Sequence, residues 1–247
     1  MPKFFVSTDK INNGTITIDT GDAAHIRRVL RLGIDDNITV CDSAGTDYEA
    51  KIRAVTDKAV LCDILSSHKN QSEPNINVTI YQALPKASKM EYIIQKNTEL
   101  GAVRIVPCTL ARCVVKLKGA DAEKKCDRWQ KIADEAAKQC GRGVIPEIAS
   151  VHTFSEAAYE MKKADLCFVP YECETNNCLK NVLLNSKNSL NISFMIGPEG
   201  GFAPEEIKLI KDLKIPCITL GPRILRTETA AEAVLSIVMY ELGDINK

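Results

Sequence analysis

The feature that most narrows the fold is an alternation of strand-like and helix-like segments that begins at Val78 and runs to the end of the chain. Short apolar runs at 78–84, 103–107, 166–169, 192–196 and 216–220 read as strands. Helical periodicity marks 90–100, 123–140, 155–163, 204–213 and 230–242. Gly101 and Gly141 stand directly after two of the helical runs, where glycine stops a helix. Strands that are apolar throughout and separated by helices predict an α/β domain, a mostly parallel sheet covered on both faces. Ligands of such sheets bind beyond the carboxyl ends of the strands.

The first part of the chain follows a different rule. Apolar alternation at 15–18, 38–41, 48–52 and 59–64, with turn signals at Asn13-Gly14, Gly33 and Ala44-Gly45, predicts a small β-barrel over residues 1–70. One helix is expected within it, at 23–32, spacing Arg27, Arg28 and Arg31 to lie near one another. The polar stretch 66–77 has one proline and no periodicity. It places a linker at 71–77, ahead of a second domain over 78–247.

Lys and Arg balance Asp and Glu at 32 each, so bulk positive charge cannot be what holds a polyanion. The distribution is uneven, however: residues 86–142 carry 13 basic against 7 acidic side chains. A local excess of that kind suits phosphate contact. The ten cysteines form no C-x-x-C, and the closest pairs, Cys108 with Cys113 and Cys173 with Cys178, have four residues between them. With the three histidines scattered, no metal site is expected and the thiols read as small hydrophobes. No apolar run is long enough for a membrane helix and the start lacks a secretion signal, so a cytoplasmic location is expected.

Two loops carry the chemistry. The first, Ile196-Gly-Pro-Glu-Gly-Gly-Phe202, leads from a buried strand into a helix with Pro204 at its start. Gly197, Gly200 and Gly201 would let a ligand approach the main chain. Neither G-x-G-x-x-G nor a Gly-Lys-Ser/Thr phosphate loop is present. The second, from Leu220 to Thr229, packs Arg223, Arg226, Thr227 and Glu228 into a short connection, and Thr229 with Glu232 predicts a capping box starting the helix near Ala230.

IGPEGGF at 196–202 and LGPRILRTETA at 220–230 resemble the RsmE family of small-subunit ribosomal RNA methyltransferases, within the SPOUT superfamily. The likeness extends to PKFFV at the start, HIRRVLRL at 25–32, LPKASKMEYIIQKNTELG at 84–101, RCVVK at 112–116 and RWQKIADEAAKQCGR at 128–142. Two departures are Lys3, where the family often has arginine, and Ser43-Ala44-Gly45, where relatives often have a Gly-x-Gly turn.

The resemblance implies a PUA-like β-barrel followed by a parallel-sheet methyltransferase domain closed by a trefoil knot. It implies S-adenosylmethionine as cofactor, N3 of a uridine in 16S ribosomal RNA or the small ribosomal subunit as target, and a homodimer. By position, the cofactor would meet Ile196, Gly197, Glu199, Gly200 and Gly201 of the first loop. It would also meet Leu220, Gly221, Ile224, Leu225 and Thr229 of the second, with Pro170 and Tyr171 alongside.

Methylation at N3 removes a proton and leaves negative charge on the ring. A fixed guanidinium suits that charge, which makes Arg226 the candidate catalytic residue, with Thr227 and Glu228 orienting it or the base. Arginine is too weak an acid to serve as the proton acceptor, for which Glu199 and Glu228 are candidates. N3 lies on the pairing edge, so the target must be extruded. Arg27, Arg28, Arg31, Lys86, Lys89, Arg112, Lys116 and Arg142 are the candidate RNA contacts. Two alternatives are a methyltransferase of the same fold acting on transfer RNA and a non-catalytic RNA-binding factor retaining the pocket.

Overall fold

The computed structural model describes residues 2–246; Met1 and Lys247, the outer ends of the two expected domains, lie outside them. The chain divides into two compact units, 1–73 with 137–145, and 74–136 with 146–247. The excursion of 137–145 into the first unit is invisible to periodicity.

The first unit contains β1 (Lys3–Phe5), β2 (Ile11–Asn12), β3 (Thr15–Asp19), α1 (Thr20–His25), β4 (Asn37–Cys41), β5 (Thr46–Val55) and β6 (Ala59–Lys69). They pair in the order β1-β4-β5-β6-β3-β2, antiparallel except for β1 with β4. Ile16, Ile18, Ile38, Ile52 and Val60 fill its core. Where a barrel was expected, this order leaves β1 and β2 as the two edges of one sheet, and register shifts in β5 at Glu49/Ala50 and Ile52/Ala54 bend it. β6 also continues to Lys69, into the stretch read as polar loop, because Thr46 to Glu49 pair with its outer half. Residues 65–69 are all exposed, so that part of β6 carries no apolar alternation to read.

The expected helix at 23–32 is shorter and irregular. α1 ends at His25, a π-type turn runs from Ile26 to Leu30, and Arg31 closes it in the left-handed region at φ 55°. The wider turn alters the arginine spacing: Arg27 is paired with Asp57, whereas Arg28 and Arg31 are exposed. Arg142 is only 2% exposed, its Nη2 lying 2.7 Å from Glu73 Oε2. Glu73 Oε1 also accepts from the amides of Gly143 and Val144. Enclosed in this way, Arg142 is a structural cation of the first unit and not the phosphate contact expected.

The second unit contains β7 (Asn77–Ala83), α2 (Lys89–Glu99), β8 (Arg104–Thr109), α3 (Gly119–Cys140), β9 (Glu147–Ile148), β10 (His152–Thr153), α4 (Phe154–Met161) and β11 (Leu166–Pro170). There follow α5 (Leu179–Leu184), β12 (Asn191–Ile196), α6 (Pro204–Asp212), β13 (Cys217–Ile218) and α7 (Thr227–Glu241). The end of α3, from Ala137, belongs to the first unit. The strands are parallel in the order β10-β8-β7-β12-β11-β13, with β9 also on β8. Val78, Ile80, Phe168, Phe194 and Met195 are buried, as a sheet covered on both faces requires. Phe168 and Phe194 stack with centroids 5.8 Å apart.

Buried polar contacts fix the strand ends. Gln82, wholly buried on β7, lies opposite Ile196, the last residue of β12. Its Nε2 donates to Thr227 Oγ1 at 2.9 Å, and the Thr227 hydroxyl donates to the Gly197 carbonyl at 2.9 Å. This relay sets the start of α7, which begins at Thr227 with Arg226 as N-cap and not near Ala230 as the Thr229-x-x-Glu232 pattern predicts. Glu232 is instead withdrawn into the unit, where burial pushes its carboxyl up, with Tyr92 as hydrogen-bond partner. α6 is held by Glu206, whose carboxylate accepts from the amides of Ala203 and Ala111, both at 2.8 Å. Thr227→Val keeps the volume but orphans one Gln82 donor and the Gly197 carbonyl. It should cost about 1–3 kcal/mol, seen as a lower urea midpoint; an unchanged midpoint would remove the relay from the account.

Candidate active site

A cavity of about 460 Å³ opens at the carboxyl ends of β11, β12 and β13. In the sheet β11 separates the other two, so three loops meet here and not two. β11 contributes Pro170, Tyr171 and Glu172; β12 contributes Ile196 to Phe202; β13 contributes Thr219 to Thr227, with Ala230 of α7 beneath. Ile196, Phe202 and Ala230 are buried and give an apolar floor, with half-buried Leu220 and Leu225 beside it. Tyr171 meets the Phe202 ring edge-on at 6.4 Å.

Residues 220–226 belong to no strand or helix, so no ladder occupies their amides and carbonyls. Gly221, at φ 100°, turns that loop as only glycine does easily. The glycines of the first loop act differently from the expectation. A Cβ at Gly197 would lie 2.9 Å from the Phe202 ring, so glycine is needed there for the loop to pack on itself. Gly201, at φ 70°, has the Glu172 carboxylate where a Cβ would stand.

The structure brings Pro170, Tyr171, Ile196, Gly197, Glu199, Gly200, Gly201, Leu220, Gly221, Ile224 and Leu225 to one cavity, together with Arg226 and Thr227. Thr229 is exposed and outside it, because the early start of α7 carries it past the mouth and puts Ala230 on the floor instead. Arg223, noted in the crowded second loop but given no role, also lines the cavity, and sequence reasoning missed Glu172, Pro198, Phe202, Thr219, Pro222 and Ala230. Glu172 adjoins residues already singled out, but nothing in its pattern distinguishes it from a solvated carboxylate. Gln82 gave no signal at all, as a lone polar residue in an apolar strand.

The polar groups differ in how committed they are. Arg226 is exposed at the mouth, at the N-terminus of α7. Thr227 is buried and its hydroxyl proton is used on Gly197, which makes it a positioning residue. Lys89 bridges Glu199 at 3.3 Å and Glu228 at 3.1 Å. Its charge is therefore matched by two carboxylates and is not the free phosphate contact expected. Burial raises the Glu199 carboxyl, but its own amide, the Lys86 amide and the Lys89 ammonium outweigh that and hold it below the usual range. A carboxylate held so is a poor proton acceptor. Arg112, exposed, donates from Nη1 to the Gly200 carbonyl at 2.9 Å and so braces the first loop. Lys86 and Lys116 are exposed on the same unit. Among the described residues no cluster of His, Cys, Asp and Glu is arranged for a metal ion, and no helix is long and apolar enough to cross a membrane. All ten cysteines are free, and burial pushes the Cys41 and Cys62 thiols up to about 12.

The cavity fits S-adenosylmethionine. An apolar floor suits an adenine ring, irregular backbone suits its polar edge, and charged groups of both signs stand at the wall.

Comparison with known proteins agrees. Residues 72–239 match an RNA methyltransferase domain, and residues 18–65 an RNA methyltransferase PUA domain. The chain is 35% identical over 231 residues to ribosomal RNA small subunit methyltransferase E of Bacillus subtilis, covering 92% of this chain and 90% of that protein. It is 33% identical over 236 residues to the enzyme of the same name from Mesomycoplasma hyopneumoniae, covering 96% and 98%. The crystal structure of a ribosomal RNA small subunit methyltransferase E from Neisseria gonorrhoeae bound to S-adenosyl methionine superposes with a TM-score of 0.89 at 28% identity, covering 99% of each chain. An α/β unit with a parallel sheet, a PUA-type unit ahead of it and a cavity at the strand ends thus place this chain in the RNA methyltransferase family.

Proposed function

We propose that this chain methylates N3 of a uridine in 16S ribosomal RNA, using S-adenosylmethionine, in the cytoplasm. The observation that carries the reading is the cavity itself. Three strand-end loops enclose an apolar floor, and an arginine stands at the mouth where an acceptor would arrive. The relatives' names support ribosomal RNA of the small subunit as substrate. The family likeness of the two loops supports a SPOUT fold with a trefoil knot, a homodimer and attack at N3.

The residues divide the work as follows. Ile196, Phe202, Leu220, Leu225 and Ala230 would hold the adenosyl part, with Gly197, Gly200 and Gly221 shaping the backbone around it. The bound cofactor supplies an electrophilic methyl group. Arg226 faces the charge that develops when N3 loses its proton. The N-terminus of α7, where Arg226 is the cap, favours the same negative charge. The Gln82–Thr227–Gly197 relay holds both loops in register, so donor and acceptor meet with little motion. Exposed Arg28 and Arg31 on the first unit and Lys86, Arg112 and Lys116 on the second are the candidate phosphate contacts.

Arg226→Ala should leave adenosylmethionine affinity within about threefold and lower methyl transfer to small-subunit RNA by roughly a hundredfold or more. Calorimetry with single-turnover transfer assays reads both, and wild-type-like transfer would reject Arg226. Charge reversal at Arg28 or Arg112 should weaken binding of small-subunit RNA and flatten its salt dependence. A filter-binding salt titration identical to wild type for both variants would mean that neither arginine contacts the RNA.

A further inference from the structure

Two carboxylates line the cavity, Glu172 and Glu199, and they differ in one respect. Glu199 is paired with Lys89, which it shares with Glu228, and accepts from the Lys86 amide. Glu172 is exposed to the cavity, and among the described residues no Lys, Arg or His pairs with it. Its place is nonetheless built. It follows β11 directly, between Pro170-Tyr171 of the wall and the exposed turn at Cys173, and its carboxylate rests against Gly201, where any side chain would displace it. The positive φ of Gly201 and the position of Glu172 therefore demand glycine at the same point.

We infer that Glu172 is a specificity-determining residue that makes the cavity prefer the cationic methyl donor over its neutral product; this rests on the cofactor reading above. Each turnover breaks the S–CH3 bond, the electron pair staying on sulfur, and forms N–CH3 as the N3 proton leaves to solvent. The sulfonium becomes a thioether, so the ligand in the cavity loses one positive charge. Adenosylmethionine and adenosylhomocysteine otherwise share the same adenosyl and amino-acid groups. A negative charge in the cavity wall therefore stabilises the donor relative to the product, by an amount that solvent and salt reduce because Glu172 is exposed. Arg223 and Arg226, on the loop after the neighbouring strand β13, are unchanged in Glu172→Gln, so a comparison of the two proteins isolates the carboxylate. The consequence for turnover is that spent cofactor leaves more readily than fresh donor.

Calorimetry of the full chain with each ligand tests this. Glu172→Gln, which keeps shape and removes charge, should weaken adenosylmethionine by about fivefold and adenosylhomocysteine by less than about twofold. Glu172→Asp should recover most of the difference. In the wild-type protein, raising salt from about 50 mM to 500 mM should narrow the ratio of the two affinities, since an open cavity is screened. An unchanged ratio in Glu172→Gln with tight adenosylmethionine binding would overturn the role of Glu172 and leave the cofactor reading standing. Equal weakening of both ligands would overturn it too, marking a role in shape only. Binding of neither ligand by the wild-type protein would overturn the cofactor reading and this inference with it.

Discussion

The candidate site depends on a short hydrogen-bond relay inside a parallel sheet. Gln82 is a fully buried amide on a central strand, and its donors are satisfied only if Thr227 and Ala83 accept them. Thr227 in turn donates a hydrogen bond from its hydroxyl to the carbonyl of Gly197. An unmet donor at this depth is costly, so the start of α7 and the first residue after β12 have little freedom to shift. From that constraint follow the early start of α7, the place of Arg226 at its N-cap and the removal of Thr229 from the cavity.

The glycine-rich loop is governed by packing more than by ligand clearance. Gly197 makes room for Phe202, Gly201 for Glu172, and Arg112 braces Gly200 from the far side. A turn anchored at three points presents a fixed wall. Rigidity here serves alignment, which is the main thing methyl transfer asks of a protein once a good electrophile is bound.

The architecture of the second unit was legible because a strand covered on both faces must be apolar, and 78–84, 166–169 and 192–196 read so directly. The two loops were legible through their glycines and crowded polar groups. What stayed hidden depended on distant partners. Nothing near Arg142 in sequence announces Glu73, and nothing near Lys89 announces Glu199 and Glu228, so both looked like free cations. The π-type turn at Ile26 defeated a periodicity argument that assumes a regular helix. β6 beyond Ile64 carried no pattern because its outer half faces water. The capping-box motif at Thr229 was a true sequence pattern overruled by a stronger buried interaction at Thr227.

The central claim is that a strand-end cavity, with Arg226 at its mouth, serves to methylate a uridine of small-subunit ribosomal RNA. Mass spectrometry of nuclease digests of that RNA, from cells that have the gene for this chain and cells that lack it, tests the claim most directly. The account predicts a single 3-methyluridine fragment that disappears with the gene and returns when the intact chain is restored. An unchanged set of methylated fragments in the two RNAs would contradict it.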